Sequence, residues 1–377
     1  MKKLILVTTV SQTFSQILSG QLAFLSMHFE VHIVCSGSPV EVQRIAKANN
    51  VASAHVIPMN RGISPFKDII SIIRMMRVVR QVKPDIVHSY TPKAGLVTAI
   101  SSFILKVPVR VHTFTGLIFP YKVGFKRFVL KNVDSLICKL CTHVVPEGEG
   151  VKKLLQPITS KELKVVGSGN IAGVDFNYFN RLELYPIPRT LESIRGLSSS
   201  NFVFCFIGRI NPDKGLGELL HAFEKLYKLH DNVALLIVGG LDSSVRIPPD
   251  IAFRLSNQQG VIWAGEVDDV RPYLAHSDIL VLPSYREGFP NVVLQAGAMG
   301  KPSIVTDVCG SNELIINDFN GWIVPPKNQL ELFNAMLLAK TSSKLPAFAE
   351  RAYIFVRSRF EREHYHKKLL DFYSRLS

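Results

Sequence analysis

Short runs rich in Val, Ile and Leu recur along this chain, and each is followed by a stretch with helical spacing. Such runs are apolar on both sides of a strand, so both faces of the sheet must be covered, and that points to parallel strands with helices above and below. The predicted strands of the first half fall at 4–8, 31–35, 54–57, 85–89, 109–113, 143–145 and 163–166. Helical stretches separate them, among them 11–26 and 66–82. A second series of strands is predicted at 202–207, 234–238, 261–264, 279–282 and 303–306, each leading into a helix. The expected fold class is α/β, with two doubly wound domains facing each other across a hinge.

Length agrees: 377 residues, 47% of them hydrophobic, suit two domains with a core each. The expected division is residues 1–180, a linker at 181–201 carrying Pro186, Pro188 and the serines at 198–200, a second domain at 202–350, and a helical tail at 351–377 packing back toward the N-terminal domain. Charge separates the halves. Of the formal net charge of +14, residues 1–180 hold +13 and residues 181–377 hold +1. A basic first half predicts an anionic partner: a nucleic acid, an anionic membrane or an anionic substrate. The opening Met1-Lys2-Lys3 imitates a signal peptide, but its apolar run lasts only from Leu4 to Val7 and reads as a first strand. No uninterrupted apolar window reaches the ~18 residues of a membrane span. Five scattered cysteines suit a reducing cytoplasm better than a disulfide framework.

In open α/β sheets, ligands bind just beyond the carboxyl ends of the strands. After 202–207 comes Gly208-Arg209-Ile210-Asn211-Pro212-Asp213-Lys214-Gly215 and then a helix from about Leu216. This is either a solvated basic loop or a diphosphate clamp, in which Arg209 forks two oxygens and Lys214 adds a point charge. After 279–282 comes Glu287-Gly288-Phe289-Pro290-Asn291, with Gln295 one helical turn beyond Asn291. Here the backbone amides of Gly288, Phe289 and Asn291 can line a ligand, and Glu287 can bond sugar hydroxyls or stabilise developing positive charge; the bland alternative is a helix start with an incidental acid. In the first half, His112 lies near a strand's carboxyl end beside Gly116, where a structural histidine is the alternative to a catalytic one. Lys93 follows another strand and can meet an acceptor phosphate. Ser11 and Gln12 form the first loop, and Glu147 opens a helix, as a cap or as a cleft residue.

The Gly-Arg-x5-Gly segment with Lys214 inside it, followed by Glu-Gly-Phe-Pro-Asn ahead of an Ala/Gly-rich helix, resembles the donor domain of glycosyltransferase family 4, the retaining GT-B enzymes. Val238-Gly239-Gly240, Gly310-x2-Glu313 and Asn320-Gly321-Trp322 extend the likeness. The first half looks like the acceptor domain of polysaccharide-assembly members. The resemblance implies two Rossmann-like domains and a nucleotide-diphosphate sugar as donor, bound by Gly208, Gly239, Gly288, Phe289, Asn291 and Gln295. It gives Arg209 and Lys214 the leaving diphosphate in place of a metal, and Glu287 and His112 the sugar. Ser11, Gln12, Lys93 and Glu147 would face the acceptor, a polyprenyl-diphosphate-linked saccharide. Gln295 stands where the family's second motif glutamate usually holds the ribose, so the nucleotide contact there lacks a charge.

Other signals carry little. Cys138-x2-Cys141 has no second pair for zinc. Gly167-x-Gly169-x3-Gly173 misses the dinucleotide spacing. No Asp-x-Asp occurs, and neither metal nor cofactor is expected. Basic and apolar residues mix at 66–82 and 119–139, which suits an interfacial surface, the alternative for 66–82 being an ordinary sheet-covering helix. The expected location is cytoplasmic, peripherally held on the inner membrane face by the basic half. A nucleic-acid-binding protein lacks any recognisable motif here, so no nucleic acid is expected. An oxidoreductase lacks the fingerprint, and a catalytically silent sugar-binding relative is the reading that Gln295 permits.

Overall fold

The computed structural model describes residues 1–60, 62, 64–188 and 201–376. It divides into two units, Met1–Gly173 with Arg362–Ser377, and Val174–Glu361.

In the first unit, β1 (Lys3–Val10), β2 (Glu30–Ser36), β3 (Ser53–Val56), β4 (Ile86–Tyr90), β5 (Val109–Phe114) and β6 (His143–Pro146) form one parallel sheet in the order β3-β2-β1-β4-β5-β6. Alternation along β1 sorts the helices between the two faces. Leu4 and Leu6 belong to a core with α1 (Gln21–Ser26), α2 (Pro39–Ala48) and the final helix of the chain (Arg362–Ser374), which contributes Leu369 and Tyr373. Ile5 and Val7 belong to a core with α3 (Pro65–Val82) and α4 (Pro92–Ile104). Beyond these lie α5 (Gly124–Leu140), packed against α4, and α6 (Glu149–Leu155).

In the second unit, β7 (Phe202–Ile207), β8 (Val233–Val238), β9 (Val261–Gly265), β10 (Ile279–Leu282), β11 (Ser303–Thr306) and β12 (Gly321–Val324) form another parallel sheet, ordered β12-β11-β10-β7-β8-β9. Its helices are α7 (Leu216–Leu229), α8 (Pro249–Asn257), α9 (Arg271–Ala275), α10 (Asn291–Ala298), α11 (Ser311–Leu314), α12 (Gln329–Thr341) and α13 (Leu345–Phe360). Every residue of β8 is buried, as its unbroken Val-Ala-Leu-Leu-Ile-Val run requires.

The fold class is that expected, two doubly wound parallel sheets, and the structure departs from the sequence reading at four places. The predicted helix over 11–26 breaks into a π-helical turn, Thr13–Ile17, and α1, because Gly20 takes a left-handed φ of 80°. The predicted strand at 163–166 is a single bridge from Leu163 to Val144. β12 is a strand the sequence reading left out. The tail at 351–377 splits: α13 packs on α10 in the second unit, and only the last helix, hereafter α14, covers the first sheet. Of the predicted linker, residues 189–200 lie outside the described residues. The part before them belongs to the second unit, with Arg181 bridged to Glu350 at 2.6 Å and the Val174 N–H bonded to the Phe360 carbonyl at 2.7 Å.

Candidate active site

Each sheet reverses its strand order once, between β1 and β4 in the first unit and between β10 and β7 in the second. The loops leaving those strands flank the crevice where doubly wound sheets bind ligands. In the second unit these loops are Gly208–Gly215 and 283–290, which carry Arg209, Lys214 and Glu287.

Two side-chain pairings tie the two loops together, and a third ties the second loop to the start of α7. The Lys214 Nζ donates to Glu287 Oε1 at 2.6 Å, both groups being largely buried. Arg286 is bonded to Asp213 Oδ2 at 2.7 Å, and the Tyr285 hydroxyl donates to the Glu218 carboxylate at 2.6 Å. The Tyr285 N–H also donates to the Asp213 carbonyl at 2.8 Å. Burial, together with the Glu218 carboxylate, raises the Tyr285 phenol above its ordinary range, so it is a donor at neutral pH. Gly215 makes this closeness possible: its φ is +67°, and a Cβ there would overlap the Pro283 carbonyl. Arg209 reaches outward, with 58% of its side chain exposed, and bonds Asp242 at 3.0 Å.

Gly208 and Gly239 end neighbouring strands, and a Cβ on Gly239 would strike the Gly208 carbonyl. Gly288 is covered closely by Gly310, which likewise has no room for a side chain. The Phe289 ring is buried in the core, 5.5 Å from the Phe360 ring, which leaves its backbone for a ligand. Asn291 begins α10 and Gln295 lies one turn on, half-buried. Cations and a carboxylate at this position can bind a diphosphate and a polar sugar: the ammonium of Lys214 neutralises phosphate charge, and Glu287 accepts hydroxyl protons.

The first unit is arranged differently. Ser11 is buried and Gln12 exposed at the end of β1. Across the switch point, Thr91 holds φ 73° and ψ 144°, a conformation that costs a non-glycine residue about 1–3 kcal/mol. Its hydroxyl lies 2.7 Å from that of Thr9 and accepts the Thr9 N–H at 3.2 Å, which joins the two loops. Lys93, which the sequence offers to a phosphate, donates to both oxygens of Asp68 at 2.8 and 2.7 Å, so its charge is already compensated. Glu147 is buried, with its carbonyl accepting the Asn170 N–H at 2.8 Å.

His112 has no exposed surface. Its Nδ1 is hydrogen-bonded to the Ser89 hydroxyl at 2.9 Å, its ring lies under the first turn of α4 where only Gly95 fits, and its Nε2 has no partner. Burial lowers its pKa to about 3, so the imidazole is neutral. Next to it, His88 bonds Tyr373 of α14 at 2.6 Å and Thr113 at 2.7 Å. The sequence reading missed these partners, as it missed Asp242 and Glu218, because each comes from a distant segment. Cys138 and Cys141 are buried free thiols, raised to about 12 by burial. Among the described residues, no group of three or more His, Cys, Asp or Glu side chains is placed to hold a metal ion.

Comparison with known proteins accords with this architecture. Residues 3–144 match the family model "Glycosyl transferase 4-like", and residues 201–339 match "Glycosyl transferases group 1". A capsular polysaccharide biosynthesis glycosyltransferase of Staphylococcus aureus, CapM, is 34% identical over 86% of this chain and 83% of its own length. The α-1,3-galactosyltransferase of Escherichia coli that uses UDP-Gal and α-D-GlcNAc-diphosphoundecaprenol is 27% identical over 84% of this chain and 81% of its own. Among solved structures, HepE of Anabaena with UDP and glucose superposes with a TM-score of 0.78 at 17% identity, covering 99% of this chain and 100% of that one. Two doubly wound sheets, a family match in each unit and a relative at 34% identity across most of both chains lead to one conclusion: this chain belongs to the group 1, 4-like glycosyltransferases, with the GT-B fold.

Proposed function

We propose that this glycosyltransferase moves a hexose or N-acetylhexosamine, with retention of configuration, from a nucleotide-diphosphate sugar to a polyprenyl-diphosphate-linked saccharide in cell-surface polysaccharide assembly. The carrying observation is the Lys214–Glu287 pair beside Arg209 at the β10/β7 switch point. On this reading the second unit binds the donor. Arg209 and Lys214 exchange their carboxylate partners for the diphosphate, and Glu287, released from Lys214, takes the sugar hydroxyls. The bond from the sugar's C1 to the phosphate oxygen breaks, and the acceptor hydroxyl oxygen bonds C1 on the same face. The acceptor's proton passes to the departing phosphate. Two cations on that phosphate supply the charge stabilisation a metal would otherwise give, so the reaction is metal-independent.

The first unit, on the same reading, takes the acceptor. Ser11, Gln12 and Lys93 stand at its switch point, Lys93 becoming available only as its Asp68 pair opens. His112 contributes a neutral imidazole with an unpartnered Nε2, and Glu147 a buried carboxylate near Tyr365. The named acceptors of the relatives from Escherichia coli and Campylobacter jejuni, both linked to diphosphoundecaprenol, support a lipid-linked acceptor, and hence peripheral work on the inner face of the cytoplasmic membrane. Incubating the protein with nucleotide sugars and a synthetic polyprenyl-diphosphate N-acetylhexosamine, followed by mass spectrometry, tests the reading. One added sugar residue supports it; no product from any donor overturns it.

A further inference from the structure

Two helices of the first unit expose large apolar groups where a self-contained domain would bury them. Phe66, Ile69, Ile70 and Ile73 line the outer side of the first turns of α3, while Met75, Val78, Val79 and Val82 bury the rest of the helix against the sheet. In α5 the asymmetry is greater, because only Asp134, Ile137 and Cys138 are buried and all three lie in its second half. Its start is solvated: Phe125 is 81% exposed, Phe128 64%, and Val123 just before the helix 85%. Exposed clusters of this kind mark an interaction surface.

The charge around them has one sign. Lys126, Arg127 and Lys131 alternate with the exposed aromatics of α5, and Arg74, Arg77 and Arg80 follow the exposed isoleucines of α3, all in exposed positions. The acid within α3, Asp68, is held by Lys93, and the acid within α5, Asp134, is buried. The outer surface of the two helices thus offers cations and apolar groups without an exposed anion. α3 and α5 flank α4 on one face of the sheet. Each leads from one parallel strand to the next, so both helices begin at the carboxyl ends of the strands, the end of the sheet that carries the switch-point loops.

We infer that the first turns of α3 and α5 together dock this unit on an anionic bilayer, with Phe125, Phe128, Ile70 and Ile73 in the interfacial layer and the cations on lipid phosphates. The inference rests on the lipid-linked acceptor proposed above and gives it a geometry: an acceptor at the β1/β4 loops would present its saccharide while its chain stays in the bilayer. Cations interleaved with aromatics at a helix start suit a lipid headgroup region, where charge stays wet and rings enter the boundary.

The experiment is flotation of the full chain with vesicles of phosphatidylcholine and phosphatidylglycerol in equal parts, against phosphatidylcholine alone. Binding should require the anionic lipid and weaken with salt. Lys126→Gln, Arg127→Gln and Lys131→Gln together should lower partitioning roughly 100-fold, at about fivefold per cation. Phe125→Ser with Phe128→Ser, and Ile70→Ser with Ile73→Ser, should each lower it about tenfold or more, given the apolar area withdrawn from the interface. All these side chains are exposed, so the melting temperature should hold, and Lys225→Gln with Lys344→Gln on the second unit should leave binding unchanged. Equal partitioning of parent and helix variants overturns the inference, as does a parent that self-associates through these helices and ignores vesicles. Transfer to a water-soluble acceptor analogue separates this result from the function reading: loss of flotation with that transfer intact supports docking, whereas flotation without any transfer sustains docking and removes the catalytic proposal.

Discussion

The two units share a topology and dispose of their charges in opposite ways. In the second unit three cations near the β10/β7 switch point face carboxylates: Lys214 with Glu287, Arg209 with Asp242, Arg286 with Asp213. In the first unit the exposed cations of α3 and α5, Arg74, Arg77, Arg80, Lys126, Arg127 and Lys131, stand on outer helix surfaces without an exposed acid in either helix, and its buried polar groups include the histidines His88 and His112 and several hydroxyls, together with the carboxyl groups of Asp134 and Glu147. A site that binds and releases an anion within each cycle gains from carboxylates that hold its cations in place between cycles. A surface meant for a much larger anion does better with its cations unpaired. On the proposed function, the near-neutral second half and the +13 of the first half are two solutions to anion binding, one local and reversible, the other extended.

The largest expected effect breaks the second unit alone. If Arg209 and Lys214 hold the leaving phosphate as proposed, Arg209→Ala and Lys214→Ala should each lower kcat about 100-fold or more with the donor saturating, while the protein stays folded and vesicle flotation holds, because each removes one charge-assisted contact. Near-normal turnover in both variants would remove the clamp.

The next effect belongs to the first unit and is read in stability against pH. Burial pushes Asp134 up to about 7 from an ordinary 3.8. The folded state therefore keeps a proton that the unfolded chain loses, and stability declines as pH rises between those values. Asp134→Asn should match the parent near pH 4 and exceed it by on the order of 4 kcal/mol above pH 7 in chemical unfolding. His88 and His112, held neutral by burial, act with the opposite sign: the unfolded chain gains their protons below about 6.5, so stability also falls in acid. An Asp134→Asn variant no more stable than the parent at pH 8 would contradict the first contribution, and no loss of stability in that variant between pH 6.5 and 4 would contradict the second.

A smaller effect tests the stapled loops. Tyr285→Phe removes the donor to Glu218 and should cost about 1–2 kcal/mol of stability and a few-fold in donor KM. An unchanged KM would show that the loops hold their spacing without it. The smallest expected effect is none: chelation of divalent metal should leave transfer unaltered, and activity lost to a chelator and restored by magnesium would contradict a clamp built from side chains.

Much of this arrangement is legible in the sequence, for reasons that also set the limits. Runs such as Val233–Val238 announce buried strands because nothing polar interrupts them. β12 escapes notice because its four residues begin with Gly321. The stretch at 163–166 looks like a strand, yet Gly167 at φ 61° turns the chain away after a single bridge. Lys214 and Glu287 stand out because each sits in a glycine-marked loop after a strand. Their neighbours do not: Glu218 lies 67 positions from Tyr285, Asp242 33 from Arg209, and Asp68 25 from Lys93, distances no local spacing encodes. The full burial of His112 depends on Gly95 of a different element, so a strand-end histidine reads as accessible until the helix over it is in place.

The central claim is that the switch-point cations of the second unit serve transfer of a sugar onto a lipid-linked saccharide. Its most direct test is mass spectrometry of a polyprenyl-diphosphate N-acetylhexosamine after incubation with a panel of nucleotide sugars, for the parent and for Lys214→Ala. The account predicts one hexose or N-acetylhexosamine added by the parent, in the presence of a chelator, and about 100-fold less by the variant. Equal product from both, or product only when a divalent metal is supplied, would contradict it.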